Sequence, residues 1–354
     1  MLPPGSTIGI LGGGQLGRML ALAAAELGYR CHIFAPETDP PAADVSAAHT
    51  RADYADTAAL SAFAQRVDVV TLEWENVPCA AVRQLAGQVA VHPGAQSLEV
   101  AQDRMAEKQS VEWLGGRCAP WAQVDSREAL DGAIAQIGVP AILKTRRFGY
   151  DGKGQARLHT ASDADAAWAA IGQQPAILEA MVDFAHEYSV ILCRGADGTM
   201  VDWPVPVNLH KGGILATSSL PPPALVREQA PAAVALARTV AEKLGHVGVL
   251  TCEFFACRDG LRFNEMAPRV HNSGHWTIEG SETSQFENHV RAVAGLPLRP
   301  TALVNPRVTM TNLIGDDVAD WPRLMSDPAA HVHLYGKGEA RPGRKMGHVT
   351  RLGK

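Results

Sequence analysis

Thr251-Cys252-Glu253-Phe254-Phe255-Ala256-Cys257-Arg258-Asp259-Gly260-Leu261-Arg262-Phe263-Asn264-Glu265 is the stretch on which the reading of this chain turns. Apolar and β-forming residues flank an Arg-Asp-Gly turn, which is the pattern of a β-hairpin. With residues 258–260 as a three-residue loop, Gly260 takes the left-handed position that such loops want. Cys257 then faces Leu261, Phe255 faces Phe263, and Glu253 lies directly across from Glu265. Like charges paired across a ladder are destabilising by themselves. A hard divalent cation between them reverses the sign, and Mg²⁺ is usually held by one or two carboxylates together with substrate phosphates. The other reading is an edge hairpin whose carboxylates point at water, and the hairpin alone leaves both open.

The chain has 354 residues, enough for two or three domains with real cores. Apolar residues make up 46% and charged residues 19%, an ordinary globular mixture. Acidic side chains outnumber basic ones, 37 to 32, for a net charge of −5. No basic run is present, so nucleic-acid binding has little electrostatic footing. No segment approaches the roughly 20 consecutive apolar residues of a membrane span. The opening Met1-Leu2-Pro3-Pro4-Gly5-Ser6 lacks the charged and apolar regions of a secretion signal. Cys31, Cys79, Cys118, Cys193, Cys252 and Cys257 form no Cys-x-x-Cys pair. They are expected to be reduced core residues of a cytoplasmic protein rather than structural zinc ligands.

Working outward from the hairpin, the first hundred residues alternate strand and helix signals, as in a parallel sheet covered by helices. Strands are predicted over 7–11, 30–34 and 67–72, with an Ala/Leu-rich helix reaching about residue 28. A helix over 101–114 stops at Gly115-Gly116. Further strands are predicted over 139–144, 177–179 and 188–194, and a long helix over 226–244. The expected organisation is an N-terminal α/β domain over 1–100, an α+β domain over 101–295 and a small β-rich C-terminal module over 296–354.

Gly12, Gly14 and Gly17 have dinucleotide-fold spacing between a strand and a helix. That motif also wants an acid at the end of the second strand to hold a ribose. Here the strand runs into Ala35-Pro36, and Glu37 comes too late. The loop still suits a phosphate or a sugar hydroxyl, with the Gln15 amide beside it. Alternatively its glycines serve only tight strand-to-helix packing.

A second glycine loop, Gly149-Tyr150-Asp151-Gly152-Lys153-Gly154-Gln155, follows Lys144 within about ten residues. Backbone N–H groups in such a loop close around phosphates while an ammonium supplies counter-charge. Glu179 ends a strand before Ala180-Met181-Val182, a segment on which adenine could dock, and Glu187 precedes another strand. Lys144, Glu179, Glu187, Glu253 and Glu265 thus supply, in order, a cation, two acids and two metal carboxylates.

That ordered set resembles the ATP-grasp fold, in which two α+β subdomains close on ATP and Mg²⁺. Gly9-Ile10-Leu11-Gly12-Gly13-Gly14-Gln15-Leu16-Gly17-Arg18-Met19 is similar to the opening of the N5-carboxyaminoimidazole ribonucleotide synthetase family. Gln102-Asp103-Arg104 with Glu107-Lys108-Gln109, Asn264-Glu265-Met266-Ala267-Pro268-Arg269 and Ser284-Gln285-Phe286-Glu287 fit the same family. So do His271-Asn272-Ser273-Gly274-His275-Trp276-Thr277-Ile278-Glu279 and Arg341-Pro342-Gly343-Arg344-Lys345-Met346-Gly347-His348. The resemblance runs from about residue 7 to residue 351.

The resemblance implies an ATP-dependent carboxylation of 5-aminoimidazole ribonucleotide with bicarbonate in purine biosynthesis, with ATP and Mg²⁺ and a homodimeric state. It implies nucleotide contacts from Arg104, Lys144, the loop Gly149, Tyr150, Asp151, Gly152, Lys153, Gly154 and Gln155, and from Glu179, Ala180, Met181, Val182, Glu187, His210, Asn264 and Glu265. Glu253 and Glu265 are the implied metal ligands. Tyr150, Asp151, Lys153 and His271 are the implied catalytic residues. Gln15, Leu16, Glu73, Asn272, Arg344, Lys345 and Arg351 are the implied substrate contacts. Two positions depart from the family pattern. Val207 stands where Glu is usual, which bears on how His210 is oriented, and Val270 stands where Pro is usual. Another ATP-grasp ligase, a nicotinamide-dependent oxidoreductase and a non-catalytic nucleotide-binding scaffold are the competing readings.

Overall fold

The computed structural model describes residues 1–149 and 154–353. Its first sheet is formed by β1 (Thr7–Leu11), β2 (Arg30–Ala35), β3 (Ala48–Arg51) and β4 (Val69–Leu72), in the order β3-β2-β1-β4 and parallel throughout. The apolar runs of β1, β2 and β4 are buried almost without interruption, as in a sheet covered on both faces. Helices α1 (Gln15–Glu26), α2 (Thr57–Ala64) and α3 (Cys79–Ala86) supply the cover.

The helix predicted over 101–114 is divided. Helix α4 (Ala95–Ala101) ends, and α5 (Arg104–Trp113) begins after Asp103, whose carboxylate accepts the N–H groups of Met105 and Ala106. A carboxylate cap satisfies donors that a helix start leaves unpaired, so Asp103 fixes Arg104 as the first helical residue.

The second sheet is antiparallel: β5 (Trp121–Val124), β6 (Ala141–Thr145), β7 (Gln155–Leu158) and β8 (Ala176–Ala180), in the order β5-β8-β6-β7. Helices α6 (Arg127–Ile137) and α7 (Ala164–Ala170) pack around the apolar core that includes Leu143 and Leu178.

The third sheet holds β9 (His186–Arg194), β10 (Met200–Asp202), β11 (Val207–Lys211), β12 (Ile214–Leu220), β13 (Gly248–Cys257), β14 (Gly260–Ala267), β15 (Arg307–Ile314), β16 (Ala330–Leu334) and β17 (Lys345–Gly353). Its path runs β14-β13-β9-β11-β12-β15-β17-β16, with β10 on β9. Because β15 pairs with β12, the C-terminal strands continue the same sheet that carries the hairpin. Helices α8 (Ala224–Lys243), α9 (Thr277–Gly280) and α10 (Gln285–Val293) accompany it. Helix α10 packs against α1, so one apolar core, with Leu20, Ile33, Phe286 and Met310 among its members, joins the first sheet to the third.

Candidate active site

β13 and β14 form the hairpin, but not in the expected register throughout. Cys257 pairs with Gly260, and the chain turns on Arg258 and Asp259 alone, with Gly260 at φ +113°. This two-residue turn sets Phe255 against Arg262 and Ala256 against Leu261, one residue away from the expected Phe255–Phe263 and Cys257–Leu261 pairs. Continued regularly, that register would put Glu253 opposite Asn264. Instead Phe254 pairs with Phe263 and Glu253 with Glu265, leaving Asn264 as the extra residue of a β-bulge. The expected Glu253–Glu265 pairing therefore holds, produced by the bulge and not by the loop length. A regular strand sends adjacent residues to opposite faces. Here Asn264 and Glu265 line the same cleft as Glu253.

Glu265 Oε2 accepts a bond from Arg104 Nη1 at 2.9 Å, and His271 Nε2 lies 3.5 Å from Glu253 Oε1. Burial, then the Glu265 charge, pushes the Glu253 carboxyl up, to about 7. Burial also acts upward on Glu265, but the Arg104 and Lys144 cations outweigh it and hold that carboxyl low. Two facing carboxylates of which one resists ionisation, with the Asn264 side chain beside them, are a fitting donor set for a hard divalent cation. Among the described residues no cluster of three or more His, Cys, Asp or Glu side chains could hold a metal ion by itself. Phosphate or water oxygens would therefore complete the shell.

The His271 ring is neutral. Burial, followed by the Arg269 and Lys345 charges, lowers its pKa to about 3. Its Nδ1 accepts the Ser273 backbone N–H, at 3.4 Å, and lies 2.9 Å from Ser273 Oγ. The hydrogen-bond pattern thus assigns the ring proton to Nε2, on the side of Glu253.

Lys144, on β6, donates to Glu179 Oε2 at 2.9 Å, and Lys108 of α5 lies 3.2 Å from Glu179 Oε1. Burial opposes ionisation of Glu179, yet the two lysines outweigh it and bring its pKa to about 2. Its charge is spent on these two cations. Glu187 instead pairs with His210 Nδ1. Burial acts downward on His210, and the bond to Glu187 leads the effects that raise its pKa overall. Glu187, from the neighbouring strand, thus orients His210 although Val207 stands where an acid was expected.

Two clefts meet here. The larger, about 740 Å³, is lined by Lys144, Gln155, Glu179, Ala180, Met181, Val182, Glu187, His210 and Asn264, with Ile142, Leu215 and Phe255 as apolar wall. Phe184 lines it too, its ring stacked on Phe255 at 4.6 Å between centroids. The smaller, about 430 Å³, is lined by Gln15, Leu16, Glu73, Arg146, Gly149 and Arg269. Arg104, Glu253, Glu265, His271, Asn272 and Lys345 line both. Of the implied cations on the tail, Lys345 reaches this shared wall. Arg344 donates to the Glu339 carbonyl and Arg351 pairs with Asp327, and neither lines either cleft. The Asn272 amide exchanges two hydrogen bonds with Asn312, at 2.9 and 2.7 Å, which fixes its plane.

The first glycine loop is already occupied by the protein itself. Glu73 accepts the N–H groups of Gly14 and Gly17, at 2.8 and 3.1 Å. A Cβ on Gly12, where φ is +104°, would fall 2.4 Å from Glu73 Cγ. The anion expected at this helix start is thus the carboxylate of β4's neighbour Glu73, and the glycines admit that side chain. In the second loop, Gly154 has φ +69° and its carbonyl accepts the Thr145 N–H. Tyr150, Asp151, Gly152 and Lys153 lie outside the described residues.

Sequence reasoning passed over three partnerships here. Arg146 grips Asp103 through Nε and Nη2, at 3.2 and 2.6 Å. Arg269 pairs with Glu75, tying the smaller cleft's two walls. The third is the Phe184–Phe255 stack, whose signal is the aromatic at alternate positions after Val182. The first two join residues more than 40 positions apart and leave no local trace.

Comparison with known proteins covers the chain from end to end. Three family models match in succession: a ribonucleotide synthetase preATP-grasp domain over 5–102, an ATP-grasp domain over 109–286 and a phosphoribosylaminoimidazole carboxylase C-terminal domain over 308–354. An N5-carboxyaminoimidazole ribonucleotide synthase of Brucella melitensis is 51% identical, covering 99% of this chain and 97% of its own. The crystal structure of an N5-carboxyaminoimidazole ribonucleotide synthetase in complex with ADP superposes with a TM-score of 0.95 at 41% identity, over 100% of this chain and 93% of that one. The Aspergillus clavatus synthase crystallised with ADP and 5-aminoimidazole ribonucleotide gives a TM-score of 0.91 at 30% identity, over 99% and 94% of the two chains.

Proposed function

The chain belongs to the N5-carboxyaminoimidazole ribonucleotide synthase family, and we propose that it joins bicarbonate to 5-aminoimidazole ribonucleotide at the expense of ATP. The products are N5-carboxyaminoimidazole ribonucleotide, ADP and phosphate, a step of purine biosynthesis. The observation that carries this reading is the shared wall of the two clefts, where a nucleotide phosphate and a second substrate can meet.

In this reading adenine lies against Met181, Phe184 and Phe255, and the ribose meets Glu187 with His210. Lys144 and Arg104 face the phosphates, with Gly149, Gly154 and Gln155 from the loop and Glu179 holding Lys144 in place. Glu253 and Glu265, with Asn264 alongside, would hold Mg²⁺, which when bound would supply positive charge to the phosphates. Phosphoryl transfer calls for positioning and charge neutralisation more than covalent chemistry from the protein. A bicarbonate oxygen attacks the γ-phosphorus and ADP leaves, giving carboxyphosphate. The exocyclic amine then attacks the carboxyl carbon, phosphate leaves, and the amine loses a proton. Neutral His271 acts as a donor through Nε2–H, suited to hold bicarbonate or the developing carbamate, and not as a base. Asp151 is the proposed partner for the amine proton, with Tyr150 and Lys153 on the same loop.

The smaller cleft takes 5-aminoimidazole ribonucleotide, with Gln15, Leu16, Glu73 and Asn272 against its sugar and base. Lys345 faces its phosphate, while Arg344 and Arg351, which line neither cleft, take no part. Residues 1–100, 101–295 and 296–354 would then serve as substrate domain, nucleotide domain and tail. A homodimeric state and a cytoplasmic location are proposed on the family ground. No helix among the described residues is long and apolar enough to cross a membrane.

The test is phosphate release measured with each substrate omitted in turn. Full release is expected only with ATP, bicarbonate, 5-aminoimidazole ribonucleotide and Mg²⁺ together. Release indifferent to the imidazole and to bicarbonate points to another ATP-grasp ligase. Asp151→Asn is expected to spare ATP binding and to slow carboxylation by about 10²–10⁴-fold, the usual range for general-base help.

A further inference from the structure

Lys108 is a cation sealed from solvent, and nothing in the proposed reaction uses it. Besides its contact with Glu179, its ammonium donates to the backbone carbonyl of Asn264 at 3.3 Å. Asn264 is the bulge residue, the one position on β14 between Phe263 and Glu265 that has no partner on β13. From the same face of α5, Glu107 accepts the N–H of Met266, on the other side of Glu265. Arg104 holds the Glu265 carboxylate itself. Residues three and four apart share a helix face. One face of α5 therefore grips three successive residues of β14, at a carbonyl, a carboxylate and an N–H.

A buried carbonyl left unpaired is costly, so a bulge at Asn264 needs a donor. Without the bulge the register of the turn would run on, Glu253 would face Asn264, and Glu265 would be turned to the far side of the sheet. We propose that Lys108, together with Glu107, is a positioning pair that pins the β14 bulge and so sets Glu265 against Glu253; this rests on reading those two carboxylates as the divalent-cation site. Through Glu179 the same ammonium is tied to Lys144, so the carboxylates and the phosphate-facing lysine are held in one frame.

The experiment measures ADP binding to the full chain by calorimetry, with and without Mg²⁺. Wild-type protein is expected to bind ADP more tightly with Mg²⁺, and no such gain would defeat the divalent reading itself, apart from Lys108. Lys108→Met keeps much of the buried side chain's volume without its charge and should lose about 10–100-fold of the Mg²⁺-dependent gain, the usual effect of removing a group behind a metal ligand. Its Mg²⁺-free ADP affinity reads any change passed through Glu179 to Lys144, and the Mg²⁺-dependent gain is taken relative to it. Glu107→Leu should lose the same gain, and Glu107→Gln, which keeps the acceptor for Met266 N–H, should retain it. A folded Lys108→Met protein with the wild-type gain overturns the proposal. So does a Glu107→Gln protein that loses as much as Glu107→Leu. Should Lys108→Met fail to fold, the two Glu107 variants decide alone.

Discussion

Glu265 carries opposing demands in one side chain: it repels Glu253, attracts Arg104 and, in the proposed site, meets a cation. Glu265→Gln removes the repulsion but also the charge that Arg104 and Lys144 favour, so the melting temperature of the metal-free protein should fall modestly. ATP turnover should fall by at least about 10²-fold, the scale of losing one preorganised electrostatic group. Calorimetry and steady-state rates on the same preparation check both, and near-normal turnover would remove Glu265 from the site. Gly12 poses a different problem at the same scale. Its φ of +104° and the closeness of Glu73 leave no room for a methyl group. Gly12→Ala should cost about 1–3 kcal/mol of unfolding free energy, the usual range for forcing a side chain into such a conformation. Denaturant unfolding reads the loss directly, and a stability equal to wild type would mean the loop can move off Glu73.

Helix α5 shows what an element adds beyond its residues. Asp103 caps it, clasps Arg146 and sets where Arg104 begins. Asp103→Ala removes the cap, typically about 0.5–2 kcal/mol, and leaves the Arg146 guanidinium without its bidentate partner. The variant should lose at least that much stability in urea titration and show a raised KM for ATP, since Arg104 is no longer fixed; an unchanged KM would separate the cap from the site. The same element marks how far the sequence could be read. Strand periodicity, the hairpin and the glycine loops were legible, because each is a local pattern; the facing acids were read from a three-residue turn that has two residues, and they meet through the bulge instead. The bulge was not legible, because its cause is Lys108, more than 150 residues away along the chain. For the same reason the first glycine loop read as a seat for a phosphate or a sugar hydroxyl, while its N–H groups turned out to be taken by the Glu73 carboxylate, 59 residues from Gly14. The division of the 101–114 helix was signalled by Asp103, a capping residue lying within the predicted span.

At the scale of the whole molecule, the first sheet is stitched to the third by two buried histidines. Thr71 on β4 pairs with His289 Nε2 at 2.7 Å, and His289 Nδ1 accepts the Val249 N–H on β13 at 3.0 Å. His246 joins the Val249 carbonyl to Ser97 of α4, with both bonds 3.0 Å long. Burial, then neighbouring histidines, lowers the pKa of His289 to about 3. Burial is the main cause that brings His246 to about 4. An unfolded histidine titrates near 6.5. Between that value and the folded one, the unfolded chain binds more protons, so stability rises with pH and is lost on acidification. Each such histidine contributes a slope of up to about 1.4 kcal/mol per pH unit. With a total stability of only about 5–15 kcal/mol, this pair can undo a large share of it between pH 6 and pH 4. Protonating His289 at Nδ1 also turns its acceptor toward the Val249 N–H into a donor, so the contact between the two sheets should be the first to suffer. Urea unfolding at pH 7.5, 6.5, 5.5 and 4.5 should therefore show a steep decline below about pH 6. His289→Gln should be less stable at pH 7.5 yet lose about one proton's worth of that slope. A flat profile in the wild type, or a slope unchanged in His289→Gln, would mean that these buried rings do not govern how the two sheets part in acid.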